Sequence, residues 1–231
     1  MTYSKSSATR KRHPAKYNDK LLPVFAKVLE EHGCKRILDP MCGTGKVFLL
    51  STWLPELVIE GVELEPEWAV YDDRITLGSA FDLPWSADTF DAIVVSPPYG
   101  NRMADHHEAK DASRRNTYRH ALERPLHNEN TGQLQWGDKY RIAHRMAWNE
   151  ARRVLRPGGI FVLNCKDHIR AGEVQPVTQW HVDTLLGMEF TVLNWYLIPC
   201  SGVRYGQNHS ARVENEDVVV LKYDTPKYKG E

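Results

Sequence analysis

An α/β domain built on a doubly wound, mostly parallel sheet is the fold class this sequence predicts, and three observations predict it. Short aliphatic and β-branched runs alternate with stretches of helical spacing. Several of those runs end in clusters of acids, glycines or prolines, which is where open α/β sheets bind ligands. And Ile37-Leu38-Asp39-Pro40-Met41-Cys42-Gly43-Thr44-Gly45-Lys46 reads as a strand, a glycine turn and the start of a helix. Glycines in such a turn let backbone N–H groups approach a nucleotide-like ligand.

The elements follow in order. A polar, basic arm occupies residues 1–15. Asn18 is expected to cap a helix carrying Leu21, Leu22, Phe25, Val28 and Leu29, which Gly33 closes. The first strand is Arg36 to Leu38, and Val47 to Leu54 is expected to be the first crossover helix. Strands follow at Leu57 to Val62, ending in Glu63-Leu64-Glu65-Pro66, and at Arg74 to Leu77, ending in Gly78-Ser79-Ala80-Phe81-Asp82. A fourth, Phe90 to Val95, runs into Ser96-Pro97-Pro98-Tyr99-Gly100. Residues 101–137 show no periodicity and are rich in His, Arg and Asn; a loop so long in a compact domain is read as functional. A helix from Lys139 to Leu155 has Ile142, Met146 and Leu155 among its apolar positions, and Pro157-Gly158-Gly159 is expected to stop it. Ile160 to Cys165 is a fifth strand, Val177 to Met188 a helix, and Phe190 to Ile198 and Asp217 to Tyr223 the last two strands. Trp148, Trp180 and Trp195 fall in these elements and are read as core. No repeat or linker divides the chain, so residues 1–231 are read as one domain.

Composition sets limits. With 42% hydrophobic and 26% charged residues, the chain is ordinary for a soluble globular protein. It has no transmembrane-length apolar run and no signal-peptide core, so no membrane partner is expected and the location is read as cytoplasmic. Cys34, Cys42, Cys165 and Cys200 have no metal-type spacing and are read as reduced thiols, and no metal is expected. Net charge is zero, so charge as a whole does not announce a nucleic acid. Locally, Lys5, Arg10, Lys11, Arg12 and Lys16 make the first segment basic, and Arg114, Arg115, Arg119 and Arg124 recur in mid-chain. By charge alone these read as solvated ends and loops.

The glycine turn fails two nucleotide motifs. The dinucleotide fingerprint needs a glycine where Phe48 stands, and a P-loop needs glycine at Pro40 and Ser or Thr at Val47. Asp39 before the turn suits a ligand with an amino group better than a pyrophosphate. Glu63 lies about 20 residues beyond the glycines, where an acid grips ribose hydroxyls in nucleotide-binding α/β folds. A nucleoside bearing an amino-acid tail and no phosphates satisfies all three, and S-adenosylmethionine is such a molecule.

With Asp39-Pro40-Met41-Cys42-Gly43-Thr44-Gly45 and Ser96-Pro97-Pro98-Tyr99 both in place, residues 13–223 resemble the S-adenosylmethionine-dependent DNA amino-methyltransferases. Met41 stands where that family usually has Phe. His13-Pro14-Ala15-Lys16-Tyr17 looks like the segment the family places against the methionine end of the cofactor, and Arg212-Val213 through Lys222 is similar to its closing hairpin. The resemblance implies a Rossmann-like class I methyltransferase fold, a seven-stranded mostly parallel sheet with helices on both faces. It also implies a cofactor site of Lys16, Tyr17, Asp39, Pro40, Met41, Cys42, Gly43, Gly45, Glu63, Leu64, Ser79, Ala80, Phe81, Asp82 and Ser96. The family often has Gly-Asp-Ala after the third strand. Here Gly78-Ser79-Ala80 stands there with Asp82 two places on, so either Asp82 or Ser79 is expected to hold the adenine.

Ser96, Pro97, Pro98 and Tyr99 are the expected catalytic residues. An exocyclic amine is a poor nucleophile because its lone pair is delocalised into the ring. Accepting both N–H hydrogens, at Ser96 Oγ and the Pro97 carbonyl, turns the lone pair toward the sulfonium methyl. Two prolines fix φ and set the direction of the local carbonyls. Tyr99 is expected to stack on the base, a contact worth about 1–3 kcal/mol. Transfer is then a direct displacement driven by positioning. A base in duplex DNA must be flipped out, at a cost of a few kcal/mol that phosphate and flanking contacts offset. The candidates for those contacts are Arg102, Arg114, Arg115, Arg119, Arg204 and Arg212, in the loops 101–137 and 201–215.

The leading expectation is therefore a DNA methyltransferase acting on cytosine N4 or adenine N6, in duplex with a flipped base or in single strands. Ser96 leans toward cytosine. The same motifs also resemble tRNA guanine-N2 methyltransferases, which carry an RNA-binding domain before the catalytic one. Protein-glutamine methyltransferases more typically have Asn at the Ser96 position. A non-catalytic nucleic-acid-binding protein of this fold is disfavoured by the intact motifs.

Overall fold

Apolar residues at alternate positions decide the two faces of a central sheet. The computed structural model describes residues 8–14, 18, 20–100, 118–200 and 213–224. Its strands are β1 (Arg36–Asp39), β2 (Val58–Glu63), β3 (Ile75–Leu77), β4 (Phe90–Val95), β5 (Leu155–Cys165), β6 (His168–Arg170), β7 (Glu173–Gln175), β8 (Phe190–Pro199) and β9 (Asn215–Tyr223). Its α-helices are α1 (Leu21–Glu31), α2 (Pro66–Ala69), α3 (Tyr118–Leu122), α4 (Asp138–Val154) and α5 (Val177–Leu186).

Seven strands form one sheet in the order β3-β2-β1-β4-β5-β9-β8. β1 to β5 are mutually parallel, and β9 runs antiparallel to both β5 and β8. On one face Leu38, Ile93, Val95, Phe161, Leu163, Val219 and Leu221 pack with Tyr140, Ala147 and Trp148 of α4 and Val182 and Leu185 of α5. On the other, Ile37, Ala92, Val94, Val162, Val218 and Val220 pack with Leu21, Phe25 and Leu29 of α1. Each such aliphatic side chain contributes about 1.5–3 kcal/mol on full burial. Two-residue alternation thus places one core on each side of the sheet.

The sequence expectations hold for the seven-stranded sheet with helices on both faces, and the differences are local. Lys46–Thr52 is a 3-10 segment instead of the expected α-helix. Its three-residue repeat eclipses Val47 and Leu50, and both are buried. The α1 N-cap is Lys20, and Asn18 instead closes a turn in which its Oδ1 accepts from Lys20 N. Pro157-Gly158-Gly159 does not lie in a loop after α4. It falls inside β5, where the pairing jumps from Phe90↔Leu155 to Ala92↔Ile160 and Gly158 sits at φ 78°. Such a bulge absorbs a proline and two glycines without ending the strand.

Ile142 and Met146 are exposed, because the buried stripe of α4 is Tyr140, His144, Ala147, Trp148 and Ala151. Trp148 is core and Trp180 packs partly against it, whereas Trp195 is 38% exposed on β8, where its Nε1 donates to Asp217 Oδ1. An edge strand has a neighbour on one side only, so its apolar pattern does not guarantee cover. The hairpin of β6 and β7, and α2 and α3, arise where no element was expected.

Candidate active site at the switch point of the sheet

The chain leaves β1 toward β2 on one side and returns through β4 on the other, so the carboxyl ends of these neighbours open a crevice. Asp39 ends β1 and Ser96 follows β4. The glycine turn bends over this opening, with Gly43 at φ 56° and Gly45 at φ 79°. Cys42 N donates to Val62 O at 2.9 Å, pinning the turn to β2. That contact needs Gly61, where a Cβ would lie 2.6 Å from Cys42 Sγ. The His13 ring covers the turn, its Nε2 3.2 Å from where a Cβ of Gly43 would stand. The His13 end of the His13-Pro14 segment thus lies against the glycine turn. Lys16 and Tyr17 lie outside the described residues.

Two carboxyls face this cradle from within the fold. Asp39 is 2% exposed and its Oδ1 accepts from Met41 N at 3.0 Å, while Glu63 Oε1 accepts from Glu65 N at 2.7 Å. Burial pushes Asp39 up to about 7. Burial, with help from the Glu65 charge, pushes Glu63 up to about 8, against the pull of the backbone donors of Glu65, Leu64 and Gly43. A ligand that brings an ammonium group to one and hydroxyl donors to the other relieves this cost. The donor set and the glycine cradle therefore fit the cofactor inferred from sequence. Past β3, Gly78 N donates to Glu63 O. This sets the Ser79–Asp82 turn beside Glu63, with Ser79 Oγ accepting from Phe81 N at 3.1 Å. Asp82 is exposed and Phe81 packs against the core.

The segment after α3 is tied to Glu65, two residues beyond Glu63. Glu65 is fully buried and accepts from Arg124 Nη2 at 2.7 Å, His127 N at 2.9 Å and Asn130 Nδ2 at 2.8 Å. Arg124 also pairs with Glu67, so this arginine is committed to the fold. Tyr118, in α3, packs on Trp68 and His13 with ring centroids 5.4 and 5.3 Å apart. Part of the expected loop 101–137 is thus ordered wall. Arg119 is exposed on α3, and Arg102, Arg114, Arg115, Arg204 and Arg212 lie outside the described residues.

Ser-Pro-Pro-Tyr is held from two sides. In front, Ser96 Oγ and Tyr99 OH are 3.0 Å apart, and Asn164 Nδ2 of β5 donates to both, at 3.0 and 2.9 Å. Behind, Tyr140 OH donates to Pro98 O at 2.6 Å. That bond ends a chain whose direction is fully determined. Trp148 Nε1 can only donate, and it does so to His181 Nδ1 at 3.0 Å. His181 therefore carries its proton on Nε2, which donates to Tyr140 OH at 2.9 Å. The tyrosine hydrogen is then free for the Pro98 carbonyl. Burial and the neighbouring His144 push His181 well below its ordinary pKa, as a neutral acceptor requires. His144 donates from Nδ1 to Tyr140 O and is pushed down to about 4 by burial. Gly100, at φ 66°, closes the loop by accepting from Trp136 N.

Sequence reasoning missed Asn164, Tyr140, Trp148, His181 and Arg124 as parts of this site. Asn164 had a signal, being the one polar residue in the run Ile160–Cys165. Tyr140, His144 and Trp148 recur every four residues in α4, so a buried polar stripe was also legible.

No protein-family model and no curated protein matches the sequence. Solved structures do match the fold. One is a proposed sarcosine dimethylglycine methyltransferase from Galdieria sulphuraria, with TM-score 0.59, 11% identity and 92% of each chain covered. A proposed RNA methyltransferase from Pyrococcus horikoshii gives TM-score 0.56 at 11% identity over 96% of each chain. The 1,6-didemethyltoxoflavin-N1-methyltransferase of Burkholderia thailandensis, with bound S-adenosylhomocysteine, gives 0.51 at 14% identity, covering 90% of this chain and 80% of that one. At such identities the likeness concerns the fold. This chain has the Rossmann-like class I methyltransferase fold.

Proposed function

We propose that this protein moves a methyl group from S-adenosylmethionine to an exocyclic amino nitrogen of a DNA base, cytosine N4 or adenine N6. One observation carries the reading. Ser-Pro-Pro-Tyr and the Asp39–Gly45 cradle stand at the carboxyl ends of neighbouring strands, so an amine at one faces a ligand in the other. When bound, S-adenosylmethionine supplies an electrophilic methyl on a sulfonium, open to direct displacement.

The chain's own residues do the rest. Asp39 holds the ammonium end, Glu63 the ribose hydroxyls, and the turn around Ser79 and Asp82 the adenine. Ser96 Oγ and the Pro97 carbonyl accept the two amine hydrogens and localise the nitrogen lone pair. The Pro98 carbonyl is already taken by Tyr140, which fixes the tetrapeptide. Tyr99 bounds the base site, with its hydroxyl turned to Ser96 and Asn164. Catalysis on this reading is positioning.

Transfer of a tritiated methyl to DNA, tRNA and protein, followed by nucleoside mass spectrometry, tests the proposal. N4-methylcytosine or N6-methyladenine in DNA is the expected product. Label confined to RNA would replace it with the guanine-N2 reading, and label in none of the three would end it.

A further inference from the structure

Two buried glutamates stand two residues apart at the end of β2, and the fold treats them differently. Among the described residues Glu63 accepts only from backbone donors, those of Glu65, Leu64 and Gly43. Glu65 is spent inside the wall. One oxygen accepts from Arg124 Nη2 at 2.7 Å, the other from His127 N at 2.9 Å and Asn130 Nδ2 at 2.8 Å. Glu65 is also the N-cap of α2, yet its side chain makes no cap bond there and turns to the guanidinium instead. A carboxyl that only accepts, and accepts from a guanidinium, carries its charge.

That charge sits beside the acid meant for the ligand. Glu65 N bonds the Glu63 carboxyl at 2.7 Å, so the two side chains leave the chain at one corner of the site. Like charges with no water between them act strongly on each other. The other groups facing this corner are Glu67 of α2, Tyr118 of α3, Asp39 at the end of β1 and His13 over the glycine turn. Lys11 is held by Glu123. Arg124, which pairs with both Glu65 and Glu67, is the permanent cation in contact with the acids of this corner.

We infer that Arg124 and Glu65 are positioning residues for the cofactor: their pair anchors the backbone donor that holds Glu63 and cancels the charge beside it, leaving Glu63 to take the ribose hydroxyls. The inference rests on the assignment of Glu63 to the ribose and stands whatever the methyl acceptor is. It gives the wall that follows α3 a part in binding the cofactor, although none of its residues belongs to the glycine turn.

Carbon-13 NMR of the glutamate carboxyls tests this in the unliganded protein, with the Glu63 resonance assigned by its loss in Glu63→Gln. Arg124→Met leaves the Glu65 charge uncompensated, and the Glu63 titration midpoint should rise by about one unit or more. Glu65→Gln removes that charge while Arg124 stays on Glu67, so the midpoint should fall. The double variant should return toward wild type, and Arg124→Lys, which keeps a cation, should stay near it. Calorimetry with S-adenosylhomocysteine at pH 7 gives a second readout. A rise of one unit cuts the ionised fraction, and with it the affinity, about tenfold. Glu65→Gln should bind more tightly than wild type, whereas a merely structural pair would weaken binding in every variant. Thermal unfolding confirms that each variant is folded, and if Arg124→Met is not, the sign of the Glu65→Gln shift decides alone. Midpoints unmoved, or moved the same way in both single variants, overturn the inference. A Glu63→Gln variant that binds as wild type does overturns it together with the ribose assignment. Opposite shifts without methyl transfer to any polymer leave it standing and end the proposed amine transfer alone.

Discussion

Replacing Tyr140 with Phe tests the buried chain that runs from Trp148 to the Pro98 carbonyl. The ring stays, with its stacking on His144 at 3.9 Å and its edge contact with Trp136 at 5.4 Å, so little packing changes. What is lost is one hydroxyl in a fully buried side chain. Two groups then stand unpaired, the Pro98 carbonyl and the Nε2–H of His181. Each unsatisfied buried group costs about 1–3 kcal/mol, so the variant should lose roughly 2–6 kcal/mol. At about 2–4 °C per kcal/mol for a chain of this size, Tm should fall by roughly 4–24 °C. Urea unfolding measures the loss, and nitrogen NMR of His181 in wild type reports which ring nitrogen is protonated. A loss under about 0.5 kcal/mol, or a proton on Nδ1, would refute the directed chain. Because Pro98 is released, turnover should also fall while S-adenosylhomocysteine still binds.

Four further outcomes follow from the same geometry. Asp39 and Glu63 must ionise to hold a cationic, hydroxyl-bearing ligand, and their raised pKa values of about 7 and about 8 mean that binding expels protons near pH 6.5. Calorimetry in buffers of different ionisation heat should show this release, with affinity rising from pH 6 to 8. Buffer-independent heats would contradict it. The same shifts mean that the unliganded protein loses stability as pH rises from about 4 toward 8, since both groups sit above their unfolded values. Ser96→Ala and Tyr99→Ala should abolish transfer while cofactor binding survives, and loss of binding in both would show the tetrapeptide misassigned. Arg124→Ala leaves Glu65 buried without its cation. It should cost about 2–4 kcal/mol in urea unfolding, discounted because Arg124 is itself 35% exposed, and a neutral result would deny the network its role.

The motifs that carry the site were legible because each is local. A strand ending in Asp39, a turn needing positive φ at Gly43 and Gly45, and two prolines after an apolar strand are set by backbone sterics. The strand pattern likewise predicted the sheet, because alternation and β-branching act within a few residues. Errors came where a neighbour decided. Trp195 reads as core by pattern, yet among the described residues β8 is an edge strand, with β9 its one neighbour in the sheet. Pro157-Gly158-Gly159 reads as a stop, yet β4 pairs on both sides of it and makes it a bulge. Arg124 reads as a loop cation until the burial of Glu65 claims it.

By itself, then, the sequence determined the fold class, the glycine turn after β1 and the Ser-Pro-Pro-Tyr turn after β4, because these follow from short-range rules of period, turn and φ. Only the tertiary structure decided what surrounds them. Asn164 comes to Ser96 across 68 residues, and Trp148 reaches His181 across 33. Such pairs exist only once strand order and helix packing are set. Hydrogen-bond direction, tautomer and pKa depend on those partners and on burial, neither of which is written in any local run of residues.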